Sequence, residues 1–261
     1  MRRIHLFEIL DQAWCPRMVR DGATDCLEAI IRATDVYRPV RDRVLAAIGV
    51  CGAKRVIDLC SGGGGPWVSR QWRGCLERDA ALHVALTDKF PSSVLSDRVR
   101  QCSRLTSVAC SVDATRVPRE LRGFRTIFSS FHHFPDAMAS EILADAVDSQ
   151  DGFASAEVTS RSLRALLTIF VLPAYVWLLT PWIRPFRWSR LLLTYLVPAI
   201  PFVIFWDGVI SCLRTRTPEE LLQLTAPFPE YEWKAGYGKG AWLAPVYLIG
   251  VPRGPASEQV A

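Results

Sequence analysis

Short apolar runs alternate with helically spaced apolar positions through the first 160 or so residues. Lys54–Leu59, Leu82–Thr87, Leu105–Cys110, Phe124–Phe131 and Gly152–Val158 read as strands, apolar enough to be buried on both faces. Between them, Pro66–Arg78, Pro91–Gln101 and Asp136–Ser149 carry helical spacing. Two more helices precede the first strand. Leu27, Ile30 and Ile31, then Val40, Val44, Leu45 and Ile48, recur at helical intervals across Thr24–Ile48, interrupted near Pro39. Residues 1–20 lack such a period and read as an irregular arm. Strict alternation of strand and helix predicts a parallel sheet with helices on both faces. Tyr231–Tyr237 and Val246–Val251, separated by Gly238-Lys239-Gly240, end the pattern as an antiparallel hairpin. The expected fold is α/β: a doubly wound, mostly parallel seven-stranded sheet with an antiparallel C-terminal hairpin and a hydrophobic helical insertion.

That insertion breaks the alternation. Residues 158–206 contain no Asp or Glu and five arginines, and they hold four of the nine tryptophans, Trp177, Trp182, Trp188 and Trp206. Two hydrophobic runs, Ala165–Ile183 and Leu191–Trp206, flank a loop bearing Arg184, Arg187 and Arg190. Each run approaches the roughly 20 residues needed to cross a bilayer core. A transmembrane hairpin, a membrane-surface anchor and a lid over a greasy substrate all fit this composition. A span would carry the three arginines outward, against the positive-inside tendency, because sheet strands on both sides of the insertion share one compartment. Arginines beside Trp182, Phe186 and Trp188 suit an interfacial loop touching anionic headgroups, so a shallow, re-entrant or surface-lying helical pair is favoured.

Composition narrows the classes further. At 261 residues, half of them apolar, the chain can bury one large domain with an elaboration. The expected division is 1–50, an N-terminal arm and helices; 51–159, the core; 160–216, the insertion; and 217–261, a helix and hairpin completing the sheet. A net charge of +5 comes from scattered arginines rather than dense basic runs, which argues against a nucleic-acid partner. The eight cysteines show no Cys-x-x-Cys pair, so a zinc module and a disulfide framework are not expected, and reduced cytoplasmic thiols are. The N-terminus lacks the long apolar core of a signal peptide, Glu8 and Asp11 arriving early. Metal is not expected.

The chemistry concentrates in Val56-Ile57-Asp58-Leu59-Cys60-Ser61-Gly62-Gly63-Gly64-Gly65. Glycines between a strand and a helix let a ligand approach the backbone at the strand's carboxyl end. A dinucleotide fingerprint would place its acid about 20 residues after the glycines. Here Asp58 precedes them, while Asp88 and Asp113 end or follow the next two strands. Three carboxylates facing one crevice suit a nucleoside with ribose hydroxyls, an amine and a cationic appendage; they would repel a pyrophosphate.

On these residues the chain resembles a class I S-adenosylmethionine-dependent methyltransferase. Asp58–Gly64 is similar to that family's acidic, glycine-rich first motif, Leu86-Thr87-Asp88-Lys89 to the second, and Val112-Asp113-Ala114 to the third. Phe128–Asp136 resembles the segment after strand four that borders the transfer site. Cys60 stands where the family usually has glycine.

The resemblance implies S-adenosyl-L-methionine as cofactor. It implies Asp58 at the methionine amine, the Ser61, Gly62 and Gly64 backbone along the methionine and ribose, Asp88 at the ribose hydroxyls, Asp113 and Ala114 at the adenine, and Ser129 beside them. His132 and His133 are the candidate bases for a substrate proton, or a feature of the turn. Tyr37 is a roof over the pocket or, preferably, a core residue; Asp207 is a functional acid or, preferably, a helix cap. The function expected is methyl transfer to a lipophilic small molecule or lipid-like acceptor, with a membrane surface as a further partner. A non-catalytic S-adenosylmethionine-binding module anchored by the insertion is the alternative, and a nicotinamide-dependent reductase a second one.

Overall fold

The computed structural model describes residues 3–79, 81–91, 95, 99–100, 102–240 and 242–253. Its sheet has seven strands in the order β3-β2-β1-β4-β5-β7-β6. These are β1 (Arg55–Leu59), β2 (His83–Leu86), β3 (Leu105–Ser107), β4 (Phe124–Phe128), β5 (Phe153–Glu157), β6 (Tyr231–Tyr237) and β7 (Val246–Pro252). The first five run parallel, and β7 pairs antiparallel with both β5 and β6. The hairpin therefore inserts its second strand next to β5, leaving β6 on the edge. The strands at the centre are fully buried, β4 and β5 along their whole length, as a sheet covered on both faces requires.

Helices cover those faces. On one side α2 (Arg38–Val50) and α3 (Arg70–Arg78) supply Val40, Val44, Trp72 and Leu76 to the core. On the other, α4 (Asp136–Asp148) contributes Ala139, Ile142 and Leu143. The expected helix at Pro66–Arg78 divides: Gly65–Val68 is a 3₁₀ turn, and α3 starts afresh behind Ser69, whose side chain accepts from the Trp72 N–H at 3.3 Å. Of the helix expected over Pro91–Gln101, residues 92–94, 96–98 and 101 lie outside the described residues; Leu95 and Val99 are helical and buried. The interruption expected near Pro39 falls at 35–37, and Pro39 stands at the first turn of α2, where its missing N–H costs nothing.

The insertion builds a further helical layer. It consists of α5 (Leu163–Leu179), the short α6 (Trp188–Leu191) running into a π turn at Leu192–Leu196, and α7 (Ala199–Arg214). The helix before α2, α1 (Arg17–Thr34), begins inside what the sequence reads as an arm and packs here rather than on the sheet. Its Ala23 and Cys26 meet Val176, Ile183, Ile200 and Ile204. Beneath them lies a buried ion pair, Arg190 to Asp25 at 2.7 Å, with Arg187 at 3.4 Å from the same carboxylate. Arg187 and Arg190 therefore turn inward toward α1. This corrects the expectation that the loop offers all three arginines to headgroups: burying the loop's backbone turns brings Arg190 to the Ile183 and Pro185 carbonyls, which it bonds at 2.7 and 2.8 Å. The chain then returns through α8 (Pro218–Leu224), which opens with a capping box between Thr217 and Glu220.

Candidate active site

The strand order changes direction between β1 and β4, and in open α/β sheets ligands bind at the carboxyl ends of the strands at this point. There Cys60, Gly62, Gly64 and Gly65 all take positive φ, from 50° to 106°. The glycines adopt this conformation without strain, whereas Cys60 at φ 55° holds a left-handed geometry that its Cβ disfavours. The loop thus keeps the turn that a glycine would make, despite the thiol. At Gly62 a Cβ would meet nothing within 4 Å, so this backbone borders open space; at Gly64 it would strike Val68 at 2.4 Å.

The first two acids close around this loop. Asp88 accepts the Gly62 N–H at 2.8 Å and the Phe90 N–H at 2.8 Å, tying the second strand's end to the glycine turn. Asp58 is buried, and Ser61 Oγ (2.6 Å), Thr126 Oγ1 (2.6 Å) and Trp67 Nε1 (3.2 Å) all donate to its carboxylate. Burial pushes its pKa up to about 7 against the pull of these three donors and with the added repulsion of Asp88. An interior acid so poised gains from a cation placed nearby. Asp113 sits further out, accepting from Thr115 and from Lys89 at 3.2 Å, and the Thr115 bonds hold its carboxyl below the ordinary value. Ala114 is buried against Val112 and Val117. Ser129, at φ 47°, receives the Tyr37 hydroxyl at 2.6 Å. Tyr37 is 1% exposed and edge-on to Phe128, so it is a core residue.

After β4, Phe131–His133 forms a 3₁₀ turn that places both histidines beside the end of β5. His132 Nδ1 lies 2.6 Å from Glu157 Oε2, and Glu157 Oε1 accepts the Phe131 and His132 N–H groups at 2.7 and 3.3 Å. Glu157 thereby holds both the turn and the ring. His132 Nε2 has no hydrogen-bond partner and faces Glu8 Oε1 at 3.6 Å. His133 Nδ1 lies 3.1 Å from Asp11. Glu157 and Glu8 were both missed from sequence. Glu157 had a readable signal, an acid at a strand's carboxyl end like Asp58 and Asp88. Glu8 had none, because only tertiary folding brings the arm across the site.

The arm is fixed by α7. Arg214 reaches the Leu6 carbonyl (2.7 Å), Asp11 (3.0 Å) and Glu8 (3.1 Å). Burial drives Glu8 up to about 7 in spite of His133 and Arg214. Asp207 accepts the Ile9 and Leu10 N–H groups at 2.7 and 2.9 Å. Asp207 lies inside α7, so it caps the arm's turn rather than a helix start, correcting the expected helix-cap role. Glu8, His132 and His133 bring potential metal-ligating atoms within 4.8 Å of one another. The Arg214 guanidinium, 3.1 Å from Glu8 and 3.3 Å from His133 Nδ1, already serves these groups as their cation. Beside the turn lies a polar cavity of about 590 Å³, whose Arg216 and Arg161 are paired with Asp136 and Glu220.

No family model and no curated protein matches the sequence. Solved structures do match in fold. PigF, determined with S-adenosylhomocysteine, superimposes with a TM-score of 0.53 at 14% identity, over 93% of this chain and 63% of its own. The methyltransferase domain of bacterial CtHen1 gives 0.49 at 11% identity, over 82% of this chain and 97% of its own. A Haloferax volcanii complex of the Trm112 methyltransferase activator with its partner protein gives 0.49 at 12%, over 91% and 98%. The chain has the class I S-adenosylmethionine-dependent methyltransferase fold.

Proposed function

We propose that this protein is an S-adenosylmethionine-dependent methyltransferase acting on a lipophilic small molecule or lipid-like acceptor. The observation that carries this reading is the closure of Asp58 and Asp88 on one glycine turn at the β1/β4 switch point, with Asp113 further out beyond the end of β3. The residues fit the cofactor: an open backbone at Gly62, a partly exposed carboxylate at Asp88, and a buried acid at Asp58 whose ionisation a cation would favour. When bound, S-adenosylmethionine supplies an electrophilic methyl group on a sulfonium. The core, 51–159 with 217–261, would hold it. Ser61, Gly62, Gly64 and Ser129 would line it, Asp88 would accept from the ribose hydroxyls, and Asp113 and Ala114 would lie toward the adenine. With its oxygens already engaged, Asp58 would act on the methionine amine of a bound cofactor through Ser61.

For an acceptor that must lose a proton, His132 is the base. Donating Nδ1–H to Glu157 would leave Nε2 as the basic atom, buried beside Glu8 Oε1 at 3.6 Å. Glu157 is a positioning residue, and His133 is held by Asp11 to the arm. The chain's remaining task is alignment of the acceptor for in-line attack. The apolar insertion, 160–216, supports a lipophilic acceptor met by a cytoplasmic enzyme at a membrane surface.

Incubation with methyl-labelled S-adenosylmethionine and a lipid extract tests the reading. Label entering an organic-soluble product is the expected result. Tight cofactor binding with no transfer to any acceptor would instead favour a binding module.

A further inference from the structure

We infer that the outer face of the insertion is a docking surface for a lipid bilayer, held by apolar and aromatic side chains rather than by charge. Docking stands on the surface alone; that it delivers an acceptor rests on the function proposed above. The face is formed by α5, the loop after it, the π turn and the start of α7. Leu178 is 68% exposed, Trp182 77%, Trp188 73% and Leu196 75%, with Phe170 and Phe202 extending the face along the two longer helices. Leu163–Trp182 has a mean hydropathy of 1.8 over its best window, yet only 22% of that window is buried. A core helix of such composition would be mostly covered, and a monomer rarely exposes a contiguous apolar patch this large.

These side chains are exposed to solvent rather than covered by the sheet domain, as those of a closed lid would be. The insertion does not form two straight spans either. The second run bends by 75° between the π turn and α7. The buried flank carries Thr180, Thr194 and Arg190, whose partners lie within the helical layer and on α1. At its base Thr159 and Thr215 meet at 2.7 Å, returning both ends to the sheet domain. The layer therefore lies against a surface.

Charge distinguishes the occupant. No carboxylate falls between Glu157 and Asp207 in sequence, and from Ala165 to Ile183 there is no charged residue at all. Protein interfaces carry about one hydrogen bond per 100–200 Å² and a polar rim. This face offers little to such a partner, whereas exposed tryptophans beside apolar residues suit the headgroup boundary. Because Arg187 and Arg190 are turned inward onto Asp21 and Asp25, Arg184 is the exposed arginine left on the loop. Anionic lipid is consequently not required.

Co-sedimentation of the full chain with phosphatidylcholine vesicles, with and without phosphatidylglycerol and at low and high salt, tests this. Comparable binding under all four conditions is expected, with tryptophan fluorescence quenched by brominated lipid. Leu178→Ser/Trp182→Ser/Leu196→Ser should lower partitioning by about tenfold or more, the scale set by removing three apolar side chains; Arg184→Gln should leave it unchanged. Thermal melting and S-adenosylhomocysteine binding on the same samples report folding. A wild-type chain that stays in the supernatant overturns docking, as does binding that needs phosphatidylglycerol and vanishes in salt. So does a dimer, seen by light scattering, that the triple variant abolishes, since the face would then belong to a second copy. Vesicle binding without S-adenosylhomocysteine binding would reject the methyltransferase reading and leave docking standing.

Discussion

Arg190→Met is expected to destabilise the protein by about 3–5 kcal/mol, the scale for removing one partner of a buried ion pair. Arg190 is 1% exposed and donates to Asp25 and to the Ile183 and Pro185 carbonyls. Methionine matches much of its volume but none of those bonds. It leaves Asp25, 4% exposed, with Arg187 at 3.4 Å as a more distant cation, and strips two turn carbonyls of their donor. The same arginine locks α1 to the loop between α5 and α6, so the whole helical layer loosens. The urea midpoint measures the loss. Asp25→Leu/Arg190→Met should regain part of it, because no buried charge then lacks a partner. A midpoint unchanged in Arg190→Met would mean that the layer is held by packing alone.

His132→Gln is expected to lower the turnover rate by about 10²- to 10⁴-fold, the contribution of a positioned general base. Glutamine fills much of the ring's place, its amide reaching the position of Nε2, but offers no basic lone pair there. The effect should fall on kcat, with S-adenosylhomocysteine affinity and melting temperature close to those of the parent, because the glycine turn and Asp88 are untouched. Glu157→Gln should reduce kcat less than His132→Gln, as expected of a residue that orients the ring rather than takes the proton. If His132 merely staples the arm to β5, His132→Gln would lose stability and retain kcat.

The central sheet was legible because buried parallel strands announce themselves as continuous apolar runs, and its hairpin because Gly238 and Gly240 separate two such runs. The placement of β7 beside β5 was not legible, since periodicity reports an element's own faces and not its neighbour. The acids at the ends of β1 and β2 could be read for the same reason that strands could: they stop apolar runs. Glu157 stops one too, at the end of β5. The inward turn of Arg187 and Arg190 could not be read, because it depends on Asp21 and Asp25 of a helix more than 150 residues earlier. The arm behaves likewise: Glu8 and Asp11 look like ordinary solvated acids until α7 supplies Arg214. Cys60 carries the loop's left-handed turn with a residue poorly suited to it, a geometry that the surrounding glycines and Ser61 over-determine.

Calorimetric titration of the full chain with S-adenosylhomocysteine tests the central claim most directly, run beside Asp88→Ala and beside a reduced nicotinamide dinucleotide. One site per chain is expected, weakened about tenfold or more in folded Asp88→Ala by the loss of charge-assisted hydrogen bonds, with no heat from the dinucleotide. A folded wild-type chain that fails to bind S-adenosylhomocysteine, or an Asp88→Ala variant that binds it equally well, would contradict the account.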